Sequence, residues 1–184
     1  MKKILFYLPL LSFFILSGCS VSRKSTHVET INSSEIYSTV HIKNNVPARI
    51  IDTKNVSADQ VIDFAETLIG AKYKYGGESV KDGFDCSGLV NYVFAHFNIS
   101  VPRVSVNFTN VGTEVPIKDS RPGDIILFTG TNANSGVVGH LGIITENDNG
   151  GLKFIHASDN GVMISGMNSY FIPRFVKVNR VFPN

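Results

Sequence analysis

The stretch that decides the fold is Phe84-Asp85-Cys86-Ser87-Gly88-Leu89, where a glycine-containing loop leads into a run of apolar residues at helical spacing. The run continues to Phe97 and predicts a helix that begins at about Cys86. The start of a helix presents unpaired N–H groups and a partial positive charge, which stabilise a thiolate and lower the pKa of a cysteine. The same N–H groups can form an oxyanion hole. Cys86 is therefore a candidate nucleophile, and a structural cysteine is the alternative.

Two histidines are candidates for the base that a thiolate nucleophile needs. His140 has glycines close by on both sides at the start of a predicted strand, and His156 ends the next predicted strand. If a hairpin across residues 147–151 joins these strands, their polar ends meet at one edge of the sheet. His156 can then orient His140, as the third member of a catalytic triad does. A hydrogen-bonded structural role is the alternative for each histidine.

The rest of the chain predicts an α+β domain over residues 57–184. Upstream of the cysteine helix, Ser57-Ala58-Asp59-Gln60 is a capping box that begins an amphipathic helix, and Gly70 ends it. A short helical piece is predicted near residues 105–110. The strands predicted after it, separated by turns rich in Gly and Asn, are residues 124–128, 140–146, 152–156, 162–164 and 175–181. Helices followed by strands indicate N-terminal helices packed on an antiparallel sheet.

The N-terminus has the features of an export signal and an anchor. Residues 1–18 contain Lys2 and Lys3 and then an apolar segment too short to span a bilayer, as in a secretory signal peptide. The segment ends in Leu16-Ser17-Gly18-Cys19, which resembles the lipobox of bacterial lipoproteins, so we expect a lipid on the sulfur of Cys19. An ordinary signal peptide is the alternative. Residues 19–56 are polar and predict a tether.

The charge and the cysteine content of the sequence limit the classes of function that fit it. Without Lys2 and Lys3 the chain has 15 basic and 15 acidic residues, so it lacks the basic surplus of a nucleic-acid-binding protein. If Cys19 carries a lipid, Cys86 is a lone thiol in an oxidising compartment, which indicates a functional role. Cys86 and the two histidines could bind zinc, but C-x-x-C and H-x-x-x-H spacings are absent. We expect no metal and no cofactor.

Six segments together resemble the NlpC-type peptidoglycan endopeptidases, which are papain-like cysteine peptidases. The resemblance covers the chain from about Ser57 to its end, in the family's order. It implies a papain-like fold, with Cys86 as nucleophile, His140 as general base and acid, and His156 as the orienting residue. The six segments are Tyr73-x-x-Gly76-Gly77, Phe84-Asp85-Cys86-Ser87-Gly88-Leu89, Val101-Pro102-Arg103, Gly123-Asp124, His140-Leu141-Gly142-Ile143 and Phe154-Ile155-His156-Ala157-Ser158.

The resemblance also implies a substrate pocket beside the thiol. It places Tyr73 next to the sulfur, where its hydroxyl can help to hold the oxyanion. Asp85 and Ser87 match positions that can line the pocket and suit an amine on the stem peptide. Core packing of Tyr73 and helix capping by Asp85 are alternatives that can coexist with these roles. The loop of residues 129–139 is longer than the resemblance suggests, so we expect it to form a rim of the cleft.

The sequence thus predicts a cell-wall hydrolase. The thiolate attacks an amide in a stem peptide or cross-link, a thioester forms, and water releases it. The alternatives are a non-catalytic lipoprotein that binds peptidoglycan and an acyl transferase on the same fold. The motif residues are all present, which favours an enzyme, and the sequence does not identify the bond. We expect a monomer attached through Cys19 in the bacterial envelope, and Ser20 resembles the outer-membrane signal, facing the periplasm.

Overall fold

The computed structural model describes residues 48–183 of the 184-residue chain. The predicted signal peptide, the lipidation site Cys19 and most of the predicted tether lie outside the described residues. Residues 48–56, assigned to the tether above, contact the domain: the Arg49 N–H donates to the Asn110 carbonyl (2.7 Å), and Ile51 is 5% exposed. Within residues 48–183, every helix is too short or too polar to cross a bilayer.

Two helices lie where the sequence predicts them. Helix α1, Ala58–Glu66, begins with the expected capping box, in which the Gln60 N–H donates to Ser57 Oγ (3.3 Å) and the Ser57 N–H donates to Gln60 Oε1 (2.9 Å). Its last residue precedes the predicted end at Gly70. A short hairpin of β1, Glu78–Ser79, and β2, Gly83–Phe84, leads into helix α2, Cys86–His96. The predicted piece near residues 105–110 is a 3-10 helix, Ser105–Asn110.

The rest of the domain is one antiparallel sheet. Its strands are β3 Thr113–Val115, β4 Ile125–Thr129, β5 Val138–Asp148, β6 Gly151–Ser158, β7 Gly161–Gly166 and β8 Phe175–Arg180. Their order in the sheet is β3-β8-β4-β5-β6-β7. The predicted β5–β6 hairpin is present, since Asp148 pairs with Gly151 across the turn. The sequence did not predict β3, because it is a short edge strand with no buried residue.

Strand β4 lies at the centre of the core and is buried on both faces. Its residue Leu127 belongs to the cluster formed with α2, where Leu89 and Val93 are fully buried. Its residue Phe128 belongs to a second cluster on the opposite face, with Phe171. Each fully buried side chain of this size stabilises the fold by roughly 1.5–3 kcal/mol. The first cluster therefore holds the cysteine helix against the strands that carry the histidines, and the predicted α+β class is confirmed.

Candidate active site

Cys86 is the first residue of α2, and local contacts fix its position. Asp85 caps the helix, with its Oδ1 accepting from the Gly88 N–H (2.6 Å). A Cβ at Gly88 would collide with the Gly77 carbonyl oxygen, so glycine is required for the first turn to pack on the loop before β1. The Cys86 side chain is 8% exposed, and its Sγ lies 3.4 Å from Ser105 Oγ and 3.9 Å from the Gly139 carbonyl oxygen.

Burial raises the pKa of the Cys86 thiol above its ordinary value. The hydrogen bond with Ser105 opposes this shift, the negative charge of Asp85 adds to it, and hydrogen bonds from the backbone of Leu141 and Ser87 oppose it. The predicted lowering of the pKa was wrong for this structure, because the loss of hydration outweighs the stabilising N–H groups. The thiol is therefore protonated at neutral pH and needs a base to ionise.

The two histidines meet on the β5–β6 hairpin. His140 Nε2 lies 3.0 Å from His156 Nδ1, and the two rings are perpendicular. The pairing of Ile143 with Ile155 sets the register, and a Cβ at Gly142 would lie 3.3 Å from the His156 Cβ. His156 lies inside β6, which continues to Ser158, so it does not end the strand as predicted. The hairpin nevertheless brings the imidazoles together at one edge.

A third partner extends this pair. His156 Nε2 lies 2.9 Å from Ser165 Oγ on β7, and His156 is 2% exposed. If His140 donates from Nε2 to His156 Nδ1, then His156 carries its hydrogen on Nε2 and donates to Ser165. This assignment leaves His140 Nδ1 as an unprotonated acceptor. The sequence analysis missed Ser165, because its contact with His156 depends on the pairing of β6 with β7 and has no local motif.

Burial also controls the charge of the imidazoles. It lowers the pKa of His140 to about 4, against a small opposing effect of Asp159. Burial, and after it the nearby His140, lowers the pKa of His156 to about 3. Both rings are therefore neutral at physiological pH, and His140 can accept a proton.

Cys86, His140 and His156 line one cavity of about 310 Å³. The thiol lies beside the backbone on both sides of His140, since its Sγ is near the Gly139 carbonyl and hydrogen bonds with the Leu141 backbone. Residues at both ends of the 129–139 loop line the same cavity, as expected for a rim. A thiol, a neutral base and an orienting group thus share one cavity, which is the set required for acyl transfer.

The other three predicted residues surround the thiol. Tyr73 is half-buried and lines the cavity, and burial followed by the adjacent Cys86 raises the pKa of its phenol, which stays an O–H donor. Ser87 Oγ donates to Asp85 Oδ1 (3.2 Å). Asp85 and Ser87 line a second cavity of about 580 Å³. Tyr73 and Cys86 line both this cavity and the first. Asp85 therefore caps the helix and also faces a cavity.

Arg103 completes this cluster, and the sequence analysis assigned it no role. Its Nη1 and Nη2 donate to the two carboxylate oxygens of Asp85 (3.1 Å each), and its Nε donates to Glu78 (2.7 Å). The Val101-Pro102-Arg103 segment was part of the resemblance, so a signal was available. Within residues 48–183, no group of three or more His, Cys, Asp or Glu side chains has the geometry to hold a metal ion.

Known proteins share this arrangement of elements. The sequence profile of the NlpC/P60 family matches residues 70–180. The chain is 32% identical over 176 residues to murein DD-endopeptidase MepS/murein LD-carboxypeptidase of Escherichia coli (strain K12), covering 91% of this chain and 86% of that protein. It is 32% identical over 130 residues to gamma-DL-glutamyl hydrolase of Bacillus subtilis (strain 168), covering 69% of this chain and 30% of that protein.

Comparison with solved structures finds the same family of proteins. An NlpC/P60 family protein from Bacillus cereus superimposes with a TM-score of 0.63 at 25% identity, covering 71% of this chain and 42% of that one. The chain therefore spans most of the Escherichia coli relative and less than half of these two Bacillus proteins.

Proposed function

This chain belongs to the NlpC/P60 family, and on that premise we propose that it is a cysteine peptidase that hydrolyses amide bonds in peptidoglycan stem peptides or cross-links. In this proposal Cys86 is the nucleophile, His140 the general base and acid, and His156 the residue that orients His140. The observation that carries the proposal is the 3.0 Å contact of His140 with His156 in the cavity that also holds the Cys86 thiol.

The reaction begins from a neutral pair, because burial keeps both the thiol and the imidazole uncharged. As Cys86 Sγ attacks the carbonyl carbon of the amide, its proton passes to His140 Nδ1. The oxyanion of the tetrahedral intermediate accepts hydrogen bonds from the N–H groups at the start of α2 and from the Tyr73 hydroxyl. His140 then gives the proton to the leaving amine, and a thioester remains on Cys86.

Water completes the cycle. His140 takes a proton from the water molecule as it attacks the thioester carbonyl, and returns a proton to the sulfur as the acid product leaves. The second cavity binds the substrate on the other side of the thiol, with Asp85 and Ser87 facing an amine of the stem peptide. Arg103 holds the Asp85 carboxylate in place through its two hydrogen bonds.

Digestion of purified peptidoglycan by the full chain, with mass analysis of the products, tests this proposal. Hydrolysis adds one water molecule for each amide that is cut, which appears as a new carboxyl group on one fragment and a new amine on the other, and the masses identify the bond. Products joined to an added amine in place of water indicate an acyl transferase. Binding to peptidoglycan without any cut bond indicates a non-catalytic module, and either result contradicts the hydrolase proposal.

We further propose that Cys19 carries a lipid that anchors the protein in the envelope, at the outer membrane facing the periplasm. The support is the lipobox resemblance of residues 16–19 and the serine at position 20. Replacement of Cys19 by Ala is expected to move the protein from the membrane fraction to the soluble fraction and to leave its activity unchanged. Retention of that variant in the membrane fraction contradicts the anchor. We also propose that the protein is a monomer, and light scattering of the purified protein in detergent tests this.

A further inference from the structure

The cavity at Cys86 has a charged residue that the proposed reaction does not use. Arg174 ends a 3-10 helix, Ile172–Arg174, directly before β8, and lines the same cavity as the thiol and the two histidines. The Arg174 guanidinium carbon lies 3.9 Å from the centre of the Tyr170 ring. The ring covers one face of the guanidinium and so restricts the plane in which its N–H groups point.

The guanidinium of Arg174 has few partners. Its Nη1 donates to the Tyr170 carbonyl (2.9 Å) and its Nη2 to the Thr131 carbonyl (3.4 Å), while its buried Nε has no hydrogen-bond partner. A guanidinium carries five N–H donors, so these contacts leave donors unused. Within residues 48–183, no carboxylate forms an ion pair with Arg174.

Arg103 lines the second cavity beside Cys86 and differs from Arg174 in its ion pairs. Asp85 and Glu78 both pair with it, so its positive charge is balanced within the protein. Arg174 is half-buried and contacts only neutral carbonyls and a ring. Asp159 lines the same cavity, but among the described residues neither it nor any other acid forms an ion pair with Arg174. A cation of this kind on the wall of a substrate cavity favours an anionic group of the substrate.

The size of the cavity limits where that anion can be. A volume of about 310 Å³ is at the small end for a ligand site, so it holds only the groups next to the bond that is cut. A glutamate linked through its γ-carboxyl keeps a free α-carboxylate on the same residue, at the other end of a short carbon chain from the amide, and diaminopimelate also carries a free carboxylate. The planar fork of arginine matches a carboxylate with two parallel hydrogen bonds.

We propose that Arg174 binds a free carboxylate on a residue that flanks the scissile amide, and that the enzyme therefore selects acidic stem peptides over amidated ones. The inference rests on the proposed function, since it assigns a specificity role in the cavity of Cys86.

The test compares synthetic stem peptides that differ only by a carboxylate or a carboxamide on each flanking residue in turn. A hydrogen-bonded charge pair is worth about 1.5–3 kcal/mol, so amidation at the recognised residue should lower kcat/KM of the full chain by about 10- to 100-fold. In Arg174→Gln the acid-to-amide ratio of kcat/KM should fall to less than about threefold. Loss of folded protein would not change this ratio, because both peptides meet the same enzyme molecules.

Lys153→Gln is the matched control, because it removes one positive charge from a residue that does not line the cavity. It should keep the parental ratio. Arg174→Lys, which keeps the charge but not the fork, should give an intermediate ratio and serves if Arg174→Gln does not fold. Equal cleavage of acid and amide peptides by the parent, or an unchanged ratio in both Arg174 variants, would overturn the inference. Failure to cut any of the peptides would instead count against the proposed function.

Discussion

The start of α2 and the β5–β6 hairpin meet at one cavity, but they are built in different ways. The helix start that carries Cys86 is formed by contacts close in sequence, such as the Asp85 cap on Gly88, three residues away. His140 is placed by long-range pairing, since His156 is 16 residues away and Ser165 lies on a third strand. The difference teaches that the helix start below the proposed nucleophile is a local property of the chain, whereas the position of the proposed base depends on strand register.

The two regions also differ in how burial changes their charge. Loss of hydration raises the pKa of the thiol and lowers the pKa of the imidazoles, so both sides are held neutral. The reaction proposed here therefore begins with a proton transfer rather than with a preformed ion pair. Changes to either region test this comparison.

Loss of the thiol should have the largest effect. Cys86→Ala removes the proposed nucleophile and is expected to reduce cleavage of peptidoglycan to the background rate. The change is small, so the free energy of unfolding should fall by about 1–2 kcal/mol or less. Product release measured by mass analysis, together with thermal unfolding, checks both expectations. Residual cleavage comparable to that of the parent would rule out Cys86 as the nucleophile.

Loss of the orienting histidine should come next. His156→Ala removes the acceptor for His140 Nε2 and should lower kcat by about 100- to 10,000-fold, as for the third member of a triad. His156→Asn offers an amide oxygen as acceptor and should recover part of the loss. KM should change little in either variant. Equal kcat values for the parent and the Ala variant would show that the 3.0 Å contact has no role in the reaction.

Lowering the pH should reduce the activity and the stability of the protein over different pH ranges. His140 must be neutral to accept a proton, so kcat/KM should fall on the acid side with a midpoint near 4 rather than near the ordinary 6.5. Unfolded imidazoles bind protons below about 6.5, whereas the folded ones do not until about 4 or lower, so the unfolded state binds more protons in between. The free energy of unfolding should therefore be highest above pH 6.5 and fall as the pH drops towards 4.

Urea unfolding at pH 7 and pH 5 measures the stability difference, which should be on the order of 2 kcal/mol for each histidine, or about 3–4 kcal/mol for the two together. The control is the double variant His140→Gln and His156→Gln, in which the dependence on pH should be weaker. An acid limb of kcat/KM centred near 6.5 would contradict the buried neutral base.

Loss of the Ser165 hydroxyl, which hydrogen-bonds with His156, should have the smallest effect. Ser165→Ala removes the acceptor for His156 Nε2–H and should lower kcat by about three- to tenfold, consistent with one neutral hydrogen bond. Ser165→Thr keeps the hydroxyl and should restore the rate. Nitrogen NMR of the histidines should show a mixed tautomer in the Ala variant. An unchanged rate together with unchanged tautomers would show that Ser165 only packs against its neighbours and does not orient His156.

The local elements were predictable because their signals lie within a few residues. The capping box of Ser57 and Gln60, the helix that begins at Cys86, and the β5–β6 turn all follow from turn, cap and periodicity rules. The family match over residues 70–180 confirms the resemblance drawn from the six segments. Strand β3 and the contact of residues 48–56 with the domain were missed, because an edge strand and a packed terminal segment take their order from distant partners.

The sequence by itself determined the fold class, the family and the placement of a cysteine at a helix start, since each depends on local pattern. The tertiary structure alone decided that the thiol is protonated, that Ser165 hydrogen-bonds with His156, and that Arg103 is paired with acids while Arg174 is not. The physical reason is that pKa values and ion pairs depend on how much water is excluded and on which charges come close. Both are set by residues far apart in the chain that packing brings together.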